Sequence, residues 1–124
     1  MEDLYKKATI NFKYSVFSRN QIDKLHWAKK ANLKKTYTLF IKSNMNAHKI
    51  PSAQKEDFFK LNIVVYRRRL LDYDNLVGGC KQLIDALVTE RFIWDDAPKY
   101  IDMNIKQVKK ADQEISITRE LIRA

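Results

Sequence analysis

Hydrophobic and polar residues alternate in four stretches of the chain, and this period of two is typical of half-buried β-strands. The first stretch is residues 8–17, in which one face carries Ile10, Phe12, Tyr14 and Val16. The same alternation recurs in residues 58–66, 100–108 and 114–118. The polar run KKADQ separates the last two stretches, which predicts that they form a hairpin.

A helical period separates these predicted strands. Residues 22–47 place apolar or aromatic side chains on one stripe, namely His26, Leu33, Tyr37, Phe40 and Ile41. Residues 75–90 repeat the pattern, with Leu76, Cys80, Ile84 and Leu87 on the inner face. The predicted order is therefore β-α-β-α-β-β.

This order predicts the fold class α/β (α+β), with two helices packed on one mixed sheet. A length of 124 residues fits a single small domain, residues 1–124, without repeats. Hydrophobic residues make up 45% of the chain, and it has only two glycines and two prolines, which argues against disorder.

Charge changes this picture by suggesting a partner. Lys and Arg number 24 against 15 Asp and Glu, a formal net charge of +9. Residues 1–60 hold 13 basic and 5 acidic residues, so the excess lies in the first half. A polyanion is the expected partner, with nucleic acid first and an acidic membrane surface second. The alternative is a basic protein whose charge serves only solubility.

Cysteine and histidine are too few for a disulfide framework or a zinc centre. Cys80 is the single cysteine, and His26 and His48 lie far apart in sequence. Any metal would therefore have oxygen ligands. The sequence shows no signal-like start and no long apolar run, so we expect a soluble intracellular protein without membrane contact.

Four aspartates form the candidate chemical site. Asp72 and Asp74 follow the strand at 58–66, and in extended backbone their carboxylates would face the same way. Asp95 and Asp96 precede the strand at 100–108, and the two pairs could meet if these strands are neighbours. Mg²⁺ or Mn²⁺ would relieve the repulsion of such a cluster. The alternative is that these aspartates are helix caps and surface acids.

Basic residues next to the aspartates suggest phosphate binding. Arg67, Arg68 and Arg69 lie three to five residues before Asp72, and arginine binds phosphate through paired donors. Strand alternation should divide the three between two faces. Four lysines lie off the apolar stripe of the first helix and are further candidates for DNA contact: Lys29, Lys30, Lys34 and Lys35. Trp27 has two interpretations, a base-stacking residue or, as is more usual on an amphipathic helix, a core residue.

The segment DYDNLVGGCKQLIDALVTERFIWDDAPKYID resembles the signature of the RusA family of Holliday junction resolvases. The family pattern is Asp-x-Asp-Asn-Leu, a lysine, Asp-Ala-Leu, and a stretch that ends in Asp-Asp. Its pieces here are Asp72, Asp74, Asn75 and Leu76; Lys81; Asp85, Ala86 and Leu87; and Asp95 and Asp96. The segment SRNQIDKLHWAKK, with Asn20 and His26, is similar to phage members.

The resemblance implies a Mg²⁺-dependent endonuclease, encoded by a phage or prophage, that acts as a homodimer on four-way DNA junctions in the bacterial cytoplasm. It implies that Asp72 and Asp74 hold the metal together with one residue of the second pair, Asp96 by its position in the motif rather than Asp95. It also implies that Lys81 works beside these carboxylates. No small-molecule cofactor is expected.

The spacing of Lys81 departs from the family pattern. The family lysine follows the Asp-x-Asp pair by four residues, whereas Lys81 follows Asp74 by seven, with VGG (77–79) as the insertion. Either one helix continues through VGG and Lys81 lies one turn farther away, or VGG is a turn and the helix starts later. Lys81 could also simply pair with Asp85 at i,i+4. For Asn75 we expect a capping role, and for Asp85 a structural one.

The function expected from these observations is hydrolysis of DNA phosphodiesters at four-way junctions. Two alternatives remain. A non-catalytic DNA-binding protein would keep the basic helix and use the aspartates only as caps. A nuclease for branched or flap DNA in general would share the chemistry and differ in substrate.

Overall fold

The computed structural model describes residues 3–124. Its elements in chain order are β1 (Lys7–Phe12), α1 (Arg19–Asp23), α2 (Trp27–His48), β2 (Phe58–Arg67), α3 (Tyr73–Gly79), α4 (Lys81–Thr89), β3 (Ile101–Lys109) and β4 (Glu114–Arg123). The strands form one sheet in the order β1-β4-β2-β3. β4 is antiparallel to both β1 and β2, whereas β2 and β3 are parallel.

The predicted fold class is confirmed, because helices cover one face of a mixed sheet. Alternate residues of every strand are buried, and β2 contributes Phe59, Leu61, Ile63 and Val65, all fully buried. The helices complete the core from above with Leu33, Tyr37, Ile41, Met45, Leu76, Leu83, Ile84, Ala86 and Leu87. Within residues 3–124, no helix lies on the opposite face of the sheet.

The helix predicted at 22–47 is two helices. Ser18 begins α1 with a capping box, in which its hydroxyl accepts from the Gln21 N–H and Gln21 accepts from the Ser18 N–H. The chain then leaves the helical path, and His26 caps α2 by accepting from the Ala28 N–H at 3.3 Å. The placement of His26 on the apolar stripe is therefore wrong, because a cap lies outside the helix and His26 is exposed.

The helix predicted at 75–90 is also divided, at Cys80. This residue ends α3 and precedes α4 with φ −86° and ψ 0°, a small departure from helical geometry. Both glycines belong to α3, and neither has a positive φ. VGG is therefore helical, and the break comes one residue after it.

The first strand is shorter than the predicted 8–17. β1 ends at Phe12, which pairs with Ile115, and β4 begins only one residue earlier, at Glu114. Beyond Phe12 no partner strand remains for β1. Tyr14 and Val16 therefore alternate in sequence without belonging to the sheet.

The predicted hairpin of the last two strands is wrong. β3 and β4 lie on opposite sides of β2, so the chain between them crosses the carboxyl end of that strand. The Lys110 N–H donates to the Arg67 carbonyl at 2.8 Å and continues the β2–β3 pairing into this connection. Alternation in sequence indicates which face of a strand is buried, but it does not indicate the neighbouring strand.

One cation lies in the core. Arg119 on β4 is fully buried and donates to the carbonyls of Phe92, Leu4 and Pro51 at 2.8, 3.1 and 2.7 Å. Burial lowers the pKa of its guanidinium to about 10. Arg119 thus ties three separate loops to the centre of the sheet.

Residues 3–124 include no helix of the length and apolar character that crossing a membrane requires.

Candidate functional site

Asp72 is the N-cap of α3. Its Oδ1 accepts from the Asn75 backbone N–H at 3.0 Å, and its Oδ2 accepts from the Asn75 side-chain amide at 2.9 Å. These two hydrogen bonds, the backbone one first, lower the pKa of the Asp72 carboxyl. Asp72 is therefore an exposed, ionised carboxylate at neutral pH.

Asp74 lies in the first turn of α3, so the expectation that it follows Asp72 in extended backbone is wrong. Only Asp72 is extended, with ψ 162°, and residues from 73 onward are helical. The side chains of residues i and i+2 in a helix point in directions that differ by about 200°. Asp74 is exposed, and its charge lies near the positive end of the helix dipole.

Asn75 connects the Asp72 cap to Asn20, which belongs to the upstream segment that is similar to phage members of the RusA family. While its Nδ2 donates to Asp72, its Oδ1 accepts from the Asn20 backbone N–H at 3.1 Å. Asn20 belongs to α1, so one amide holds α1 and α3 together. The predicted capping role of Asn75 is wrong, because the N-cap is Asp72 and Asn75 supplies the two donors that the Asp72 carboxylate accepts.

Asp95 and Asp96 lie in the loop between α4 and β3. The Asp96 N–H donates to Asp95 Oδ1 at 2.8 Å. The pKa of the Asp96 carboxyl is raised by partial burial first, then by Asp95, and also by the charge of Asp85 on α4. Asp95 is thus the hydrogen-bonded neighbour of Asp96, and Asp85 is a more distant charge that acts in the same direction.

The parallel direction of β2 and β3 explains why the carboxylate whose charge acts on Asp96 belongs to Asp85 and not to Asp72. β2 and β3 are neighbours, as expected, but they are parallel. The chain reaches Asp72 from the carboxyl end of β2, whereas Asp96 precedes the amino end of β3, so the two pairs leave opposite ends of the strands. The helical segment α3–α4 runs back between these ends, and Asp85 lies eleven residues along it from Asp74.

Within residues 3–124, no three Asp, Glu, His or Cys side chains form a group that could hold a metal ion by themselves. The expectation that the two aspartate pairs meet at one edge of the sheet is wrong within one chain, because they leave opposite ends of β2 and β3. That Asp72, Asp74 and Asp96 are metal ligands stays a prediction. The donor chemistry does fit Mg²⁺, which commonly takes one or two carboxylates and completes its coordination with water and substrate phosphate. Each Asp72 oxygen accepts one hydrogen bond and retains a free lone pair.

Lys81 begins α4 and is paired with Asp85. Its Nζ lies 4.0 Å from Asp85 Oδ2, and the two side chains are 72% and 39% exposed. The i,i+4 alternative for Lys81 is therefore realised. Asp85 is the carboxylate that the structure places next to the Lys81 ammonium.

The three consecutive arginines differ in environment. Arg67 ends β2 half-buried, and its guanidinium donates to the Val16 carbonyl and, at 3.0 Å, to the Arg69 carbonyl. Burial lowers its pKa. Arg67 thus has a structural role, because it holds the segment between β1 and α1 against the end of β2. Arg68 and Arg69 lie beyond the strand and are exposed, so they remain candidates for phosphate contact.

The predicted lysines of α2 form a basic surface. Lys29 and Lys35 are exposed, and Lys30 and Lys34 are partly exposed. Trp27, at the first residue of α2, is 74% exposed. The core interpretation of Trp27 is therefore wrong, because α2 begins at this residue and its buried stripe starts only at Leu33.

Two contributors to the site were not predicted in these roles. Asp85 was expected to have only a structural role, but its charge also contributes to the raised pKa of Asp96. Its i,i+4 spacing from Lys81 was the one sign in the sequence that it takes part in a charged contact. Asn20 was noted only as part of a motif. Its contact with Asn75 is made by the backbone, which no pattern of side chains could reveal.

No protein-family model matches this chain, and no curated protein sequence matches it. The resemblance to the RusA family therefore rests on the residues named above.

Proposed function

We propose that this chain is a Mg²⁺-dependent endodeoxyribonuclease that resolves four-way DNA junctions by paired hydrolysis of phosphodiesters. The observation that carries the proposal is the start of α3, where the RusA-like residues Asp72 and Asn75 are hydrogen-bonded to each other, Asp74 is exposed in the same turn, and the exposed Arg68 and Arg69 precede them closely in the chain. This part of the chain therefore combines an ionised carboxylate, that of Asp72, with arginine side chains that can bind phosphate.

Asp72 and Asp74 are the residues we assign to the metal. The lowered pKa of Asp72 keeps its carboxylate charged at neutral pH, and Asp74 is exposed to solvent. Mn²⁺ has the same preference for oxygen ligands. When bound, such an ion supplies an activated water and stabilises negative charge on the phosphate. Asp96 is the third proposed ligand, and this assignment follows the resemblance alone.

The remaining residues of the proposed site bind and orient DNA. Arg68, Arg69 and the lysines of α2 attract the phosphate backbone, and the first-half charge excess favours the same partner. Lys81, whose Nζ lies 4.0 Å from Asp85, is the residue we assign to stabilising charge near the leaving oxygen. Asn75 fixes the Asp72 carboxylate, which leaves it pre-oriented before substrate arrives.

Paired cuts need two copies of the chain. A four-way junction has approximate two-fold symmetry, and a C2 homodimer supplies two sites related in the same way. The proposed partners are therefore branched DNA and a second copy of this chain, with no membrane and no small-molecule cofactor.

A non-catalytic DNA-binding protein is the second candidate, and one observation favours it. Asp72 already has a complete structural role as the cap of α3, which needs no metal. In this case the basic surface of α2 and the exposed arginines would carry the whole function. A nuclease for flap or other branched DNA is a third candidate that shares the proposed chemistry.

The test is incubation with a synthetic four-way junction, a flap and a linear duplex, each with Mg²⁺ and with EDTA. Symmetric nicks on the junction alone, abolished by EDTA, support the proposal. Cleavage of the flap at the same rate would favour the broader nuclease. Binding that survives EDTA and falls only with salt, with no cleavage of any substrate, would support the non-catalytic protein.

A further inference from the structure

The face of the sheet opposite the helices carries side chains in rows that run across the four strands. Strand pairing places one residue of each strand side by side, in the order β1, β4, β2, β3. One such row is Lys7, Glu120, Lys60 and Asp102, and all four side chains are exposed. Charge alternates along it as plus, minus, plus, minus.

This row has no ion pair of its own. The ion pairs within residues 3–124 join Arg19 to Asp23, Lys81 to Asp85, and Lys110 to Glu114. The four charges of the row therefore remain available to a partner surface.

The alternation is self-complementary under a two-fold rotation. If a second copy lies face to face with its two-fold axis parallel to the strands, each row meets the same row in reverse. Lys7 then faces Asp102 of the second copy, and Glu120 faces its Lys60. Every charge meets an opposite charge, which is the requirement for an isologous interface.

The neighbouring row obeys the same rule. It consists of Thr9, Thr118, Asn62 and Asn104, and the first two hydroxyls lie 2.8 Å apart. Reversal sets Thr9 against Asn104 and Thr118 against Asn62. Hydroxyls then meet amides, which can both donate and accept hydrogen bonds.

The next row is Asn11, Ser116, Val64 and Lys106, in which reversal sets the Asn11 amide against the Lys106 ammonium, whereas Ser116 faces Val64 and gains no hydrogen bond. A fourth row lies toward the carboxyl end of β2. Glu114 and Tyr66 are partners on β4 and β2, and both are half-buried. In the reversed copy each Tyr66 hydroxyl faces a Glu114 carboxylate. We propose that this open sheet face is the surface through which two copies of the chain associate, about a two-fold axis parallel to the strands.

The inference deepens the proposed function, since it names the surface of the homodimer that paired cuts require. Four strands span about 19 Å and six residues extend about 20 Å, which gives a contact of roughly 400 Å² on each copy. Stable dimers bury about 800 Å² on each partner, so this association is weak and concentration-dependent. At about 0.15 M salt the Debye length is about 8 Å. The repulsion between the net charges of two +9 chains acts over longer distances and is largely screened, whereas the paired charges of the row are in close contact and are screened less.

Charge reversal at the centre of the row tests the geometry. Sedimentation equilibrium without DNA compares the natural chain with Lys60→Glu, Glu120→Lys and the double variant. Each single change sets two pairs of like charges face to face, and the dimer dissociation constant should rise at least tenfold. The double variant restores opposite charges, so its dissociation constant should return toward the natural value. Lys35→Glu on α2 is the matched control and should leave association unchanged.

A second experiment locates the contact independently of charge. The double variant Thr9→Cys/Asn104→Cys places a thiol on each edge strand, about 14 Å apart within one chain. A bismaleimide shorter than this spacing should join two copies of the double variant. The single variant Thr9→Cys should not crosslink, and Cys80 is buried in every variant.

The proposal is overturned if the natural chain stays monomeric at all concentrations, if the double charge variant fails to recover association, or if the paired cysteines do not crosslink. These outcomes are separable from the proposed nuclease, because neither experiment contains DNA or metal. A face-to-face dimer without cleavage would refute the nuclease alone.

Discussion

A Cβ atom on Gly79 would lie 1.9 Å from the carbonyl oxygen of Phe17. Gly79 is therefore required because α3 packs directly on the backbone that leads into α1. The neighbouring Gly78 would meet the side chain of Arg19, with its Cδ at 2.6 Å. This close approach explains the three extra residues before Lys81: they form the turn of α3 that contacts the Phe17–Arg19 segment.

Gly79→Ala should destabilise the fold more than Gly78→Ala. The first change meets backbone, so helices must separate at a cost on the order of 1–3 kcal/mol or more. The second meets a flexible side chain, and its clash is offset by the helix propensity of alanine, about 1 kcal/mol. Denaturant unfolding of both variants measures the difference. Equal losses would show that the close approach at Gly79 is not real.

Asp96→Asn should stabilise the chain at neutral pH and lose that advantage in acid. Partial burial first, and then Asp95, raise the pKa of this carboxyl above its ordinary value, so the proton is bound more tightly when the chain is folded. Stability is therefore lost as pH rises through the range between the unfolded and folded pKa values. Thermal melts at pH 3 and pH 7 should show a higher Tm for the variant only at pH 7. Added Mg²⁺ should raise the wild-type Tm if it binds here.

Arg67 and Arg69 should have opposite phenotypes. Arg67→Ala removes hydrogen bonds from a charged donor to Val16 and should cost on the order of 1–2 kcal/mol of stability. Arg69→Ala should leave the melting temperature unchanged, weaken DNA binding, and reduce the slope of binding against salt by about 1. Melts and salt titrations of both variants decide this. A stable Arg67→Ala with weakened DNA binding would return that residue to the DNA surface.

Lys81→Ala separates a catalytic lysine from a structural one. The pair with Asp85 is largely exposed, so its loss should cost only a few tenths of a kcal/mol. The proposed role near the leaving oxygen predicts a much larger effect on single-turnover cleavage, with binding nearly unchanged. Normal cleavage by this variant would remove Lys81 from the site. Lys55→Ala, at an exposed lysine between α2 and β2, is the control.

The sequence predicted the fold class and the buried face of most elements, because burial follows periods of two and 3.6. The neighbours of β4 were not predictable from that pattern, since its alternation is satisfied in any position within the sheet. Both predicted helices were interrupted, and each interruption depends on local contacts. Ser18 and His26 are caps, and Cys80 follows the glycines that contact Phe17.

The candidate site was predictable as a set of residues and less so as a geometry. The capping alternative for Asp72 was correct because a carboxylate before a helix finds free N–H donors. The influence of the Asp85 charge on Asp96 depended on the parallel direction of β2 and β3, which the sequence left open. The exposure of Trp27 depended on where α2 begins, and element boundaries are set by such tertiary detail.

The central claim is tested most directly by single-turnover cleavage of a saturating four-way junction in Mg²⁺ by the natural chain, Asp74→Asn and Asp112→Asn. Both aspartates are exposed, and Asp112 lies in the connection between β3 and β4, so the two substitutions are matched in chemistry and burial. We predict that the natural chain and Asp112→Asn cut the junction at similar rates, while Asp74→Asn binds it normally and does not cut. Cleavage by Asp74→Asn at the natural rate would contradict the account.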